Sequence, residues 1–335
     1  MKKILACAIS ATLLCGAMVT FAACGENDSS KLSVYTPDGA PALALVNAIK
    51  KEDNAFAYNV VDANVITTFV TGENPKADIA VLPVNAAAKV LGTGSVYQML
   101  GTVTNGNLYF LTTGDHVELT GENLAETLAG KKVGVVQLNN VPGLTLQAVL
   151  NDYEIDYSIV QSAQEDVEEG KVNLIPFVPE NVTPASGCDY YLCPEPAAST
   201  KVKATEGKFK MAGDLQALYG EEGGYPQAAV VAKKSVIENR KEDVETFIGY
   251  LQGAKSYLET AEISHILAAL DENREDGLNA SFKAENLTRE VIARCSVGFT
   301  ASSECKSKVN EFLNKLIAVS ESSTAIPSDA FYYMG

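Results

Sequence analysis

The chain has 335 residues, 47% of them hydrophobic, and a formal net charge of −16 at pH 7. Such a composition supplies ample apolar material for packed cores. It excludes a nucleic-acid binder, because neutralising phosphates needs a basic surface. Only two histidines occur in the whole chain, which disfavours zinc or manganese capture by a histidine cluster and leaves no metal or cofactor expected.

The chain opens on a leader. Lys2 and Lys3 form a basic start, and residues 4–22 are uncharged and almost wholly apolar. Small residues precede Cys24, and the sequence turns polar immediately after it. This order is that of a secretory signal. Phe21-Ala22-Ala23-Cys24 resembles a bacterial lipobox, in which the cysteine is lipidated and becomes the first residue of the mature protein. A transmembrane anchor is the alternative, since residues 4–22 are just long enough to span a bilayer. No basic stop-transfer cluster follows, which favours the lipid anchor at Cys24. Either way the body works outside the cytoplasm at a membrane surface, on a tether of residues 25–31. Without Lys2 and Lys3 the body has 24 basic and 42 acidic residues, a net −18, which is read as solubility. Its length suits two domains.

Strand and helix patterns alternate along the body. Residues 32–35 read as a strand and 36–41 as a turn, with Leu43, Val46 and Ile49 at helical spacing beyond it. Strands follow at 59–62 and 78–82, with short helices at 65–70 and 85–91. A long strand-like stretch runs from 98 to 112. The pattern then restarts, with a helix at 122–128, a strand at 132–137, a loop at 138–143 and a helix marked by Leu146, Val149 and Leu150. Further strands are expected at 157–160, 188–193 and 226–231. The rest is helical, with core-facing stripes at Val244, Phe247, Ile248, Leu251 and Leu258, and at Val309, Phe312, Leu313 and Leu316. Repeated βα units of this length predict an α/β fold with parallel sheets and helices on both faces.

Four cysteines remain in the body beyond Cys24. Cys188 and Cys193 bracket a strand pattern, whose five residues separate them too far for a disulfide. Cys295 and Cys305 flank a turn-like Thr-Ala-Ser-Ser. A bridge between them and buried free thiols are equally compatible with the sequence.

In an open α/β sheet, ligands bind beyond the carboxyl ends of the strands. Four segments there carry unusual residues. Thr36, Pro37, Asp38 and Gly39 follow the first strand. Pro83, Val84 and Asn85 follow the third, with Asn85 placed to cap a helix beginning at Ala86. Gln137, Asn139, Asn140, Pro142 and Gly143 follow the first strand of the second block. Glu195, between two prolines, follows the Tyr-rich strand and offers the one fixed carboxylate. Gly39 and Gly143 would let a ligand approach the backbone. Each loop alone reads as turn chemistry; four at one kind of strand end read as a binding site.

The segments DIAVLPVNAAAKV (78–90), NGNLYFL (105–111), GKKVGV (130–135), YLCPEPAAS (191–199), VIARCSVGF (291–299) and PSDAFYY (327–333) occur in a familiar order. With them the mature chain resembles the extracytoplasmic solute-binding lipoproteins of nitrate/sulfonate/taurine and thiamine-precursor type ABC importers. The resemblance implies a type II periplasmic-binding-protein fold, with two lobes closing over a small molecule and handing it to a membrane permease. It implies one lobe from 32–113 and 225–335 and another from 114–224. The crossings are expected near 107–112 and 225–231. Thr36 to Gly39, Pro83 to Asn85 and Asn107 would then lie on one side of the cleft, with Gln137 to Asn140, Pro142 and Glu195 on the other. The chain has no tryptophan, so stacking on a ligand would fall to tyrosines, Tyr35 among them. Residues 171–187 have no counterpart in the family pattern. Arg294 falls near the sheet edge, as an anion partner or, the favoured reading, a surface salt bridge.

The expected function is capture of a small organic or anionic solute by a monomeric receptor, with an ABC permease and the membrane as its partners. The alternatives are an enzyme on the same fold, for which Glu195 is the one candidate base, and a surface sensor.

Overall fold

The computed structural model describes residues 31–114 and 117–335; the leader, Cys24 and the tether as far as residue 30 lie outside the described residues. Twelve strands occur among them: β1 (Leu32–Pro37), β2 (Phe56–Val61), β3 (Ile79–Pro83), β4 (Tyr97–Thr104), β5 (Leu108–Thr112), β6 (Lys132–Val136), β7 (Tyr157–Ile159), β8 (Val172–Phe177), β9 (Tyr190–Pro194), β10 (Lys210–Asp214), β11 (Ala228–Lys233) and β12 (Val297–Ala301). The α-helices are α1 (Ala40–Leu43), α2 (Val46–Ile49), α3 (Val84–Leu91), α4 (Leu124–Leu128), α5 (Val141–Asp152), α6 (Ala197–Ala204), α7 (Leu215–Leu218), α8 (Lys234–Asn239), α9 (Lys241–Gln252), α10 (Ala254–Thr260), α11 (Ile263–Asp271), α12 (Arg289–Arg294) and α13 (Ser302–Val319). None of the described helices is long and apolar enough to cross a membrane.

The strands form two six-stranded sheets, ordered β12-β4-β11-β3-β1-β2 and β10-β5-β9-β6-β8-β7. The α/β class is as expected, but the sheets are mixed rather than parallel. In the first, β1, β2 and β3 are parallel, while β11 runs against both β3 and β4, and β12 against β4. In the second, β6 to β9 are parallel and β5 runs against β9 and β10. Two of the antiparallel members, β5 and β11, are the strands that receive the chain as it changes sheet. Such a strand enters at the edge where its neighbours leave.

That arrangement fixes the geometry of the connections. The chain leaves the carboxyl end of β4 and enters β5 through residues 105–107. It returns from the carboxyl end of β10, by way of α7, into β11 through residues 219–227. Both connections therefore join the carboxyl edges of the two sheets. The expected stretch 98–112 is thus two strands in different sheets, broken by Asn105-Gly106-Asn107. The sheet changes at 105–107, ahead of the expected crossing at 107–112, and β5 belongs to the second sheet although it was expected within 32–113. Gly106 makes the break possible. Its φ is +88°, and a Cβ there would lie 2.6 Å from Gln216 Cγ and 2.8 Å from the Tyr225 ring.

The central strands bury both faces. In β3, Ala80 and Leu82 enter one apolar cluster while Ile79 and Val81 enter another, as the period of two requires. The first cluster continues into the second sheet through Val133, Val135 and Leu192, and through α5 and α13. A third cluster covers the other face of the second sheet, around Tyr191, Cys193 and Phe209. The stripes on α9, α10 and α13 are core, as expected. Residues 172–177, without counterpart in the family pattern, form β8, paired between β6 and β7.

All four body cysteines are free and buried. Cys295 and Cys305 do not bridge: Cys295 lies in one apolar cluster and Cys305 in the cluster on the opposite face of the first sheet. Cys188 and Cys193 do not bridge, as expected; Cys188 precedes β9 instead of lying within it, and both enter the third cluster.

Candidate functional site

The expected loops all lie at the carboxyl edges that the two connections join. Thr36, Pro37, Asp38 and Gly39 end β1; Pro83, Val84 and Asn85 end β3; Gln137, Asn139, Asn140 and Pro142 follow β6; Glu195 follows β9; Asn107 is in the first connection. Their local roles differ from expectation at several points.

Asn107 and Glu195 are brought together. The backbones of Asn107 and Glu195 bond, Glu195 N donating to Asn107 O at 2.9 Å. Asn107 Nδ2 donates to Glu195 O at 3.2 Å, and Asn107 Oδ1 accepts from Gln227 Nε2 at 2.9 Å. Gln227 in turn accepts at its backbone oxygen from Val84 N, 2.9 Å away. One polar line therefore runs from the end of β3, across both connections, to the end of β9.

Glu195 is the most buried charge in this line, with a side chain 0% exposed. Its Oε1 accepts from Ser199 Oγ at 2.6 Å and its Oε2 from Ser199 N at 3.1 Å. Arg294 Nη1 lies 3.6 Å from Glu195 Oε1 and donates to Ser199 Oγ at 3.0 Å. Arg294, from the end of α12, is thus neither a free anion partner nor an isolated surface pair: it is half-buried and covers a buried carboxylate. Tyr109 OH donates to Arg294 O at 3.2 Å. Burial raises the Tyr109 hydroxyl pKa, with Asp214 and Glu195 adding to it. Burial likewise pushes the neighbouring Cys295 thiol well up, with the Glu195 charge contributing. With its oxygens held by Ser199 and Arg294, Glu195 is engaged as a structural acceptor. A cleft of about 250 Å³ opens beside this cluster, between α6 and the 285–294 segment.

Asp38 is committed elsewhere. Its Oδ2 accepts from Ser281 N at 2.7 Å, and its Oδ1 lies 3.5 Å from Arg274 Nη2 with both side chains nearly closed to solvent. Thr36 is fully buried within β1. Gly39, at φ +108°, precedes α1, and the space where its Cβ would stand is open. Tyr35, mid-strand, stacks on Phe69 with ring centroids 4.3 Å apart, so one face is already covered.

Asn85 does not cap a helix. Pro83 precedes α3, whose first residue is Val84, so Asn85 lies inside the first turn. Its Nδ2 reaches Ser323 O at 3.5 Å and its backbone oxygen accepts from Thr324 Oγ1 at 2.9 Å. The loop after β6 is shorter than expected, because α5 begins at Val141 and Pro142 is buried in its first turn. Gly143 admits no ligand: a Cβ there would collide with the backbone of Leu138. Gln137, Asn139 and Asn140 are exposed, with Gln137 at φ +56°.

The reading from sequence did not single out Ser199, Gln216, Gln227 or Arg274. Gln216 replaces ladder bonds at the sheet change, accepting from Leu108 N at 2.7 Å and donating to Leu108 O at 3.1 Å. The only signal for Gln227 was its place at the head of a strand entering the first sheet.

Several buried polar atoms at this edge make no hydrogen bond: the acceptors Asn85 Oδ1 and Gln227 Oε1, the Thr104 hydroxyl, and Arg274 Nε and Nη2, with Asp38 Oδ1 held only by its ion pair to Arg274. Native folds leave few such atoms. Among the described residues no group of three or more His, Cys, Asp or Glu is arranged to hold a metal ion.

No family model matches the chain, and no curated protein matches it. Solved structures do. An ABC transporter from Parabacteroides distasonis is 18% identical with a TM-score of 0.67, over 91% of this chain and 99% of that one. The periplasmic aliphatic sulphonate binding protein SsuA from Escherichia coli is 12% identical with a TM-score of 0.58, over 87% and 86%. The ligand-binding component of an ABC-type import system from Staphylococcus aureus, with zinc bound, is 10% identical with a TM-score of 0.55, over 91% and 96%. At these identities the likeness establishes the fold, and the chain has the α/β fold of periplasmic binding proteins.

Proposed function

We propose that this chain is the solute-capturing receptor of an ABC importer, a monomer held at the outer face of the membrane by a lipid on Cys24. One observation carries the reading. Both connections join the carboxyl edges of two α/β sheets, so the loops that hold ligands in such folds face one another across a two-stranded link. The lobes would be the two sheets with their helices, 32–113 with 225–335 and 114–224 in outline, adjusted so that β5 goes with the second. A small solute between the edges would favour the closed form through contacts made only there, and the permease would read that form. The similarity of fold to importer components supports this reading. An enzyme would need a free base, and the bonds from Ser199 and Arg294 argue against Glu195 in that role.

The test combines small-angle scattering with thermal melts of the mature chain against a metabolite library. A true solute at a hundredfold excess over its Kd is expected to add about 2.7 kcal/mol of stability and to shrink the radius of gyration. Cys24→Ala is expected to abolish fatty-acid labelling and release the protein from membranes. A library that neither stabilises nor compacts the protein would end the receptor reading; unchanged labelling of Cys24→Ala would end the anchor.

A further inference from the structure

We infer that the solute recognised here presents N–H or O–H donors to Asn85 and Gln227; this rests on the receptor reading above. Hydrogen bonding fixes which way each amide faces. Glu195 O can only accept, so Asn107 turns its Nδ2 toward it, at 3.2 Å. Asn107 Oδ1 then faces Gln227, which must supply its Nε2, at 2.9 Å. Gln227 Oε1 is left as an acceptor, shielded from solvent and without a partner. The same logic holds at Asn85. Ser323 O can only accept, so Asn85 Nδ2 faces it, and Asn85 Oδ1 is left shielded and unpartnered.

The two residues are neighbours, since Val84 N donates to Gln227 O. Neither amide can rotate to offer its NH2 group without setting oxygen against oxygen at Glu195 or Ser323. At these two positions the edge of the first sheet thus presents two unpartnered acceptors, while each amide NH2 keeps one further N–H. A nitrate, sulfonate or carboxylate head, made only of acceptors, would leave both amide oxygens unpartnered. An amide, amine or hydroxyl would complete both bonds.

The cations of the same edges do not change this. Arg294 is paired with Glu195, and Arg274 with Asp38 and Asp271. Each arginine is matched in charge by a carboxylate at least as buried as itself or by two of them; Arg274 keeps Nε and Nη2 buried without a hydrogen-bond partner, so acceptors elsewhere on the solute find donors there. Both amide oxygens are closed to solvent in this conformation, so a solute reaches them when the facing edges part, and closure then places them against it.

The test uses size-matched pairs within the metabolite library: nicotinamide against nicotinate, and taurine against 1-propanesulfonate, together with the remaining members sorted into donor-bearing and acceptor-only sets. Binding to the mature chain is measured by calorimetry. The expected result is that the bound compounds are donor-bearing. Asn85→Leu and Gln227→Met are each expected to weaken the tightest of them roughly 2- to 10-fold, with unchanged circular dichroism. Gln227→Glu is expected to weaken it at least as much, because a carboxylate sets oxygen against Asn107 Oδ1. An acceptor-only compound binding as tightly as its donor-bearing counterpart overturns the inference while leaving the receptor reading intact. Donor-bearing binders insensitive to all three substitutions overturn it too. A library without any binder overturns the receptor reading and this inference with it.

Discussion

Removing the Arg294 side chain as Arg294→Met tests whether this half-exposed arginine neutralises the buried carboxylate of Glu195. The pair is 3.6 Å apart, with the arginine side chain 37% exposed and the glutamate 0% exposed. At an effective dielectric of about 20 the gross attraction is about 4–5 kcal/mol. Desolvation and the arginine's exposure offset most of it, and Glu195 keeps its bonds from Ser199 N and Oγ after the substitution. The net cost of Arg294→Met is therefore expected at about 1–3 kcal/mol, below the usual penalty for stranding a fully buried charge. Glu195→Gln keeps the shape and an acceptor while removing the charge. In the double variant no charge is stranded, so the losses should fall short of additive by about 1–2 kcal/mol. Urea unfolding of the four proteins at low and high salt reads the cycle. Strict additivity, or a loss in Arg294→Met under about 0.5 kcal/mol, would refute the reasoning and make Arg294 an ordinary surface pair.

Two further outcomes follow from the fold. Gly106→Ala, at φ +88° with Gln216 and the Tyr225 ring closing on its Cβ, is expected to lose about 2–4 kcal/mol through left-handed strain and overpacking. An urea midpoint equal to that of the parent would show that the connection has slack. The buried thiols predict alkaline instability: burial pushes Cys188 and Cys305 up to about 11 and Cys193 up to about 12, from an ordinary 9.0. A folded pKa above the unfolded one gives stability that is complete below the unfolded value and lost as pH rises through the folded one. Melting temperature should therefore fall between about pH 9 and about pH 12, and native thiols should resist iodoacetamide near neutrality. A flat melting temperature across that window would count against the burial of these groups.

Much of this protein is written locally. The period of two in 79–82, the helical stripes on α9, α10 and α13, and the turn residues after β1, β3, β6 and β9 depend on neighbours within a few positions. Strand-end loops could therefore be named as candidate contacts before any tertiary structure was known. The proposed leader and anchor at Cys24 rest on linear sequence alone, the form in which targeting signals are read. What no local pattern carries is partnership across the chain. The stretch 98–112 looks like one strand, and only the packing of Gly106 against Gln216 and Tyr225 divides it between two sheets. Asp38 looks available to a solute until Arg274 and Ser281, more than 230 positions away, take its oxygens. Gln227 looks like an ordinary strand-head residue until Asn107 and Glu195 fix which end of its amide is left over. Composition and periodicity determined that this chain builds α/β sheets. Which polar atoms at the joined edges are satisfied, and which are left as acceptors, was decided by long-range hydrogen bonds, because a side chain's bonding capacity is spent on whatever the fold brings beside it.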